Sequence, residues 1–298
     1  MLEKDLSIFD YRKEKEKLNN AYVIDEQVNG RFTKHSIRTE QAGYIDCYLY
    51  RPENASDQKL PIIINLHGGG FVLGYCEQDG LYCQQLANAC QCCVINIDYC
   101  LAPEFKFPKA IYSTYHVIYQ LKQQAKQLNL DAEKISIIGH SAGGNLACSL
   151  ALLDNVQNKL NFEKMVLNYP MLDQEEIVEA KQLEQITPVN KRLVDYINWY
   201  LTSDEDASNP LASPINGDLS ELPETFILGA ELDPLLNKER AFFYKAKEAG
   251  SSILFKEYKG CQHGFTHKWF KEFHPEKSTE AWKDIYHFFQ TGKIKGVL

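Results

Sequence analysis

Short apolar runs recur at positions 44–50, 62–66, 94–97, 135–138, 165–168, 226–228 and 253–255, and longer helical patterns fill most of the gaps between them. Several of these runs are apolar throughout rather than alternating, as expected of strands covered on both faces. After Phe107-Pro108 the apolar residues Ile111, Tyr115, Ile118, Leu121 and Ala125 recur at steps of three and four, which predicts one amphipathic crossover helix. Strand and helix in alternation predict an α/β fold, a mostly parallel sheet with helices on both faces, spanning 1–298 as a single domain.

The alternation breaks between about 173 and 208, after the strand ending near Tyr169. That segment carries its own helix signals and reads as an insertion. Thr187-Pro188 offers a helix start with proline in the first turn, and Leu193, Tyr196, Ile197 and Tyr200 then form a stripe at helical spacing. No internal repeat or low-complexity segment interrupts the rest of the chain.

Composition narrows the class. Of 298 residues, 44% are hydrophobic and 24% charged, and no apolar run reaches the length of a membrane span. A formal net charge of −8 argues against nucleic acid or anionic lipid as partner and favours a small neutral or cationic molecule. The first residues pass directly into a charged stretch with no apolar signal core, so a cytoplasmic location is expected. Nine cysteines, with Cys92 and Cys93 adjacent inside an apparent strand, read as reduced core thiols. Paired Cys-x-x-Cys elements with spaced histidines are lacking, so neither a metal nor another cofactor is expected.

Two glycine-rich elements follow predicted strands. Gly139-His140-Ser141-Ala142-Gly143 lies between Ile135-Ser136-Ile137-Ile138 and a helix-forming stretch, the setting of a nucleophile elbow with Ser141 at its tip. His67-Gly68-Gly69-Gly70 follows Ile62-Ile63-Ile64-Asn65-Leu66 and matches the element that supplies backbone donors to an oxyanion hole. The expected donors are the amides of Gly69, Gly70 and Ala142. A serine hydroxyl needs a base, and the base needs a carboxylate behind it. The loop after the strand at 253–255 carries His263, the candidate base. Past the strand at 226–228 stand Glu231 and Asp233, and either could supply the acid. His35, His116, His267, His274 and His287 lack a strand-end setting and are expected to be ordinary surface or partly buried residues.

With these elements in place the chain resembles the hormone-sensitive-lipase-like (bacterial family IV) carboxylesterases of the α/β-hydrolase superfamily. The resemblance rests on His67-Gly68-Gly69-Gly70-Phe71, on Asp98-Tyr99-Cys100-Leu101-Ala102-Pro103-Glu104, on Gly139-His140-Ser141-Ala142-Gly143-Gly144, on Asp233-Pro234-Leu235 and on His263-Gly264-Phe265. It implies an eight-stranded α/β-hydrolase sheet and selects Asp233 over Glu231 as the acid. It also implies a helical cap built from about 1–34 and about 173–208, with Phe71, Trp199 and Tyr200, and also Phe9 and Tyr11, as candidate substrate-pocket residues. The implied activity is hydrolysis of short- to medium-chain esters through an acyl-enzyme. An amidase or deacetylase on the same triad is the alternative; a non-catalytic small-molecule receptor is disfavoured because His263 is retained. Related enzymes are often dimers, which makes a homodimer one expected assembly. Two positions depart from the family pattern: His140 stands where Asp or Thr is usual, and is expected to point away from the pocket. Cys100 stands where Arg is usual, removing a positive partner for Glu104.

Overall fold

The computed structural model describes residues 7–19, 31–55, 58–181 and 188–297. Eight strands form one sheet: β1 (Phe32–Thr39), β2 (Gly43–Tyr50), β3 (Leu60–Leu66), β4 (Cys93–Asp98), β5 (Leu130–His140), β6 (Phe162–Asn168), β7 (Glu224–Ala230) and β8 (Ile253–Tyr258). Their spatial order is β1-β2-β4-β3-β5-β6-β7-β8. β1 pairs antiparallel with β2 and β2 antiparallel with β4, while every pairing from β4 through β3 to β8 is parallel. This is the α/β-hydrolase sheet that the apolar runs and the resemblance predict.

The strands send alternate residues to two separate cores. Ile62, Ile64, Ile137 and Ile227 join the cluster that includes α3 (Lys109–Gln123), α4 (Ala142–Gln157) and α7 (Leu236–Glu248). Ile63, Ile138, Phe226 and Leu228 join the one formed with α2 (Cys76–Cys90) and α8 (Pro275–Thr291). A period-2 backbone with both faces covered therefore requires apolar side chains at consecutive positions, and the sequence pattern reflects this. The crossover helix expected after Pro108 is α3, with Ile111, Tyr115, Ile118 and Leu121 buried. The nine cysteines carry free thiols, and only Cys90 and Cys100 are not fully buried.

One sequence expectation is corrected. The N-terminal cap segment expected over about 1–34 overlaps the sheet, because Phe32 opens β1 and pairs with Tyr50, so residues 32–34 belong to the sheet. Its burial alternates and its sequence is mostly polar, as befits an edge strand, and this hid it among the apolar runs. Residues 1–6, 20–30 and 182–187 of the expected cap, Thr187 included, lie outside the described residues.

Three helices stand apart from the layers: α1 (Ile8–Asn19), α5 (Glu175–Ala180) and α6 (Pro188–Tyr200). α1 is fastened by Arg12. Its guanidinium donates from Nη1 to Glu104 Oε1 (2.6 Å), from Nη2 to Glu104 Oε2 (2.9 Å) and Ala102 O (2.7 Å), and from Nε to Val72 O (2.8 Å). Glu104 thus has a positive partner after all, supplied from α1 rather than from position 100, and Arg12 holds its carboxyl below the usual carboxylate range. No helix among the described residues is long and apolar enough to cross a membrane.

Candidate active site

Ser141 sits between the end of β5 and the start of α4 with φ 54° and ψ −115°, a backbone conformation that a residue with a side chain seldom adopts. The turn closes only because its flanks lack side chains. A Cβ on Gly139 would stand 2.0 Å from Gly143 O, and one on Gly143 would stand 2.1 Å from Leu66 O. The elbow therefore fits directly against the end of β3, where the His67-Gly68-Gly69-Gly70 turn begins. A Cβ on Gly68 would lie 3.6 Å from the Ser141 Cβ, so the two glycine-rich elements meet at the serine. Ala142 is the first residue of α4, and its amide has no partner one turn earlier in the helix.

His263, in the loop after β8, lies between Ser141 and Asp233. Its Nε2 is 2.8 Å from Ser141 Oγ, and its Nδ1 is 2.6 Å from Asp233 Oδ2. The side chain of Asp233 is fully buried, and its other oxygen accepts from Leu235 N (3.0 Å). The rival carboxylate Glu231 is engaged elsewhere, accepting from Lys259 Nζ and from the amide of Gly260. Behind Asp233 lies the buried Glu239, whose pKa is pushed well above the ordinary value by burial and by the Asp233 charge. Such a series of hydroxyl, imidazole and carboxylate can move a proton from the serine oxygen as that oxygen attacks an electrophilic carbon.

The candidate pocket residues occupy different depths. Phe71 and Tyr200 stack on each other at 3.8 Å with planes 7° apart, and both are buried. Trp199 packs against Tyr11 (5.6 Å between centroids) and Tyr196 (6.4 Å). Phe9 is 59% exposed, so α1 meets α6 through Tyr11, whose hydroxyl is 2.6 Å from that of Tyr196. The ring of Tyr196 covers the Gly69-Gly70 turn so closely that a Cβ on Gly70 would come within 2.4 Å of it. Tyr196 belongs to the apolar stripe of the sequence, and its four-residue spacing from Tyr200 is the one local signal of its place at the site.

His140 points away from Ser141 Oγ into the sheet. Its Nε2 is 3.1 Å from Asn65 Oδ1 and its Nδ1 is 2.9 Å from Asn168 Nδ2, and burial pushes its pKa down to about 3. His267 is not the ordinary histidine expected: it is buried beside His140 (ring centroids 4.6 Å) and Asp79. The only signal for it was its place four residues after His263, and Asp79 gave none.

Fold and site together define an α/β-hydrolase with a serine, histidine and aspartate in series. A family model described as alpha/beta hydrolase fold matches residues 63–267. An arylesterase of Saccharolobus solfataricus is 32% identical over 272 residues, covering 88% of this chain and 86% of that protein. The crystal structure of a thermostable carboxylesterase cloned from a metagenomic library superposes with a TM-score of 0.83 at 30% identity, covering 98% of this chain and 99% of that one. A hyperthermophilic esterase from the archaeon Pyrobaculum calidifontis gives 0.83 at 30% identity, over 97% and 92%. The chain belongs to the alpha/beta hydrolase fold family, in its hormone-sensitive-lipase-like branch.

Proposed function

We propose that this ester hydrolase is a serine carboxylesterase acting on short- to medium-chain acyl esters through an acyl-enzyme. The observation that carries the reading is the pair of contacts that put His263 between Ser141 Oγ and Asp233. His263 Nε2 takes the serine proton as Oγ attacks the ester carbonyl, and Asp233 keeps Nδ1 protonated and steadies the imidazolium. The carbonyl oxygen gains charge at this step, and the amides of Gly69, Gly70 and Ala142 are its donors. His263 then gives its proton to the leaving alkoxide. Water, activated by the same imidazole, attacks the acyl-serine and regenerates the hydroxyl.

Helices α1, α5 and α6 form the cap, with Phe71, Trp199 and Tyr200 among the substrate-pocket residues. The aromatic wall over Gly70, with Tyr196 against it, favours compact acyl groups. The arylesterase and carboxylesterase names of the relatives support the same substrate class. The test is hydrolysis of chromogenic esters from acetyl to long acyl chains, beside an anilide and the Ser141→Ala variant. Short esters are expected to turn over fastest, with kcat lost by about 10⁴-fold or more in the variant. Activity surviving in Ser141→Ala would sink the nucleophile, and preference for the anilide would move the enzyme to the amidases.

A further inference from the structure

Beneath the elbow lies a buried polar cluster that the ester chemistry does not use. Asp79, in the first turn of α2, is its one carboxylate. Its Oδ2 accepts from Asn65 Nδ2 (2.8 Å), and its Oδ1 faces His267 Nε2 at 3.4 Å. Despite full burial, its neighbours hold its pKa down to about 2, so it carries charge. A buried carboxylate accepts only, and this fixes the direction of every hydrogen bond that leads to it.

Two arms reach Asp79, and both start at the side-chain amide of Asn168. In the first, Asn168 Nδ2 donates to His140 Nδ1 (2.9 Å), His140 Nε2 donates to Asn65 Oδ1 (3.1 Å), and Asn65 donates to the carboxylate. In the second, Asn168 Nδ2 donates to Thr266 Oγ1 (2.9 Å), Thr266 pairs with the Tyr169 hydroxyl (2.8 Å), and that hydroxyl is hydrogen-bonded to His267 Nδ1 (2.8 Å). His267 Nε2 then lies 3.4 Å from Asp79 Oδ1, within ion-pair distance but outside hydrogen-bond geometry, and makes no hydrogen bond of its own. Where the arms begin, the chain touches the site twice. Asn168 O accepts from the amide of Ser141 (2.9 Å), and the ring of Tyr169, itself at φ 39°, lies 4.9 Å from that of His263.

We propose that Asp79 and His267 are positioning residues for the ester hydrolysis. Through these two arms they fix Asn168 and Tyr169, and with them the backbone of the nucleophile and the face of the base. The inference rests on the reading of Ser141 and His263 given above. A metal site is the competing use, because donor atoms of Asp79, His140 and His267 lie within 4.8 Å of one another. Both ring nitrogens of His140 are already committed, Nε2 as a donor to Asn65, so a metal would have to break the first arm.

Three variants test this: Asp79→Asn, His267→Phe and His267→Gln, each assayed on a chromogenic butyrate ester with Ser141→Ala alongside. Asp79→Asn sets an amide donor against donors, and His267→Phe keeps a ring without nitrogens. Both are expected to lower kcat by about 10- to 100-fold, as small displacements of reacting groups do, with KM held within about threefold. His267→Gln restores an N–H toward Asp79 and an acceptor toward Tyr169, and is expected to stay within about threefold of the parent kcat. Unchanged kcat in His267→Phe, or a Gln variant as slow as the Phe variant, would overturn the proposal. So would one equivalent of zinc in the purified enzyme, measured by plasma mass spectrometry and absent from His267→Phe. Should Asp79→Asn fail to fold, the two His267 variants decide. Activity surviving in Ser141→Ala would defeat the esterase reading itself, a result separate from any of these.

Discussion

The elbow and the helices α1 and α6 are both built around close contacts, but of different kinds. At the elbow, backbone meets backbone: the clashes that a Cβ on Gly139 or Gly143 would meet are with carbonyl oxygens that cannot swing aside. Around α1 and α6, side chain meets side chain: Arg12 on Glu104, Tyr11 on Tyr196, Tyr200 on Phe71. A backbone contact admits one residue type, whereas a side-chain contact can be remade by other residues of similar volume. The chemistry of such an enzyme is therefore rigidly specified, and its selectivity is carried where substitution is tolerated.

Gly143→Ala should break the rigid half outright. Its methyl would overlap Leu66 O and His67 O, and the loss should be about 3 kcal/mol or more, read as a collapse in soluble yield or in Tm. A variant that melts like the parent would show that the elbow can give way. Arg12→Ala should act on the other half alone. The Arg12–Glu104 pair is partly exposed, so the ion pair itself counts for little, and the lost bonds to Val72 O and Ala102 O matter as much. KM is expected to rise about three- to tenfold with kcat preserved, and longer acyl chains should be better accepted. A fall in kcat without change in KM would place Arg12 with the chemistry instead of with substrate binding.

The smallest effect is a pH slope. Burial pushes His140 from its ordinary 6.5 down to about 3, so the unfolded chain takes up this proton before the folded one. Its stabilising contribution is complete above pH 6.5 and is lost as the pH falls from there toward about 3. Asp79, held at about 2, adds its own loss only below about 3.8. Tm of the parent should decline through the first window, and that of His140→Asn should decline less steeply; parallel curves would refute the assignment.

The contrast between the two halves also explains what could be read in advance. Ser141 and His263 stand out as candidates because each follows a strand whose apolar run is visible, and because the glycines around Ser141 answer to backbone geometry, whereas the strand before Glu231 and Asp233 leaves the choice between them open and only the family resemblance selects Asp233. β1 does not stand out, since an edge strand half open to water reads as Phe-Thr-Lys-His-Ser-Ile-Arg-Thr, without an apolar run. Arg12 and Glu104 are 92 residues apart, and no local pattern announces their meeting. Asp79 is hidden for another reason: an acid in the first turn of a helix looks like a residue favouring the helix dipole, and only the folded sheet shows it to be buried.

The buried thiols have a practical consequence. Cys47 sits in β2, Cys76 and Cys83 in α2, Cys93 in β4, Cys148 in α4 and Cys261 in the loop before His263, and burial raises the pKa of each. Because the thiolate is the reactive form, each is shielded from alkylating reagents until its own element opens. The chain thus carries a set of internal clocks. The order in which these positions become labelled under mild denaturant would record the order in which helix, sheet and catalytic loop come apart.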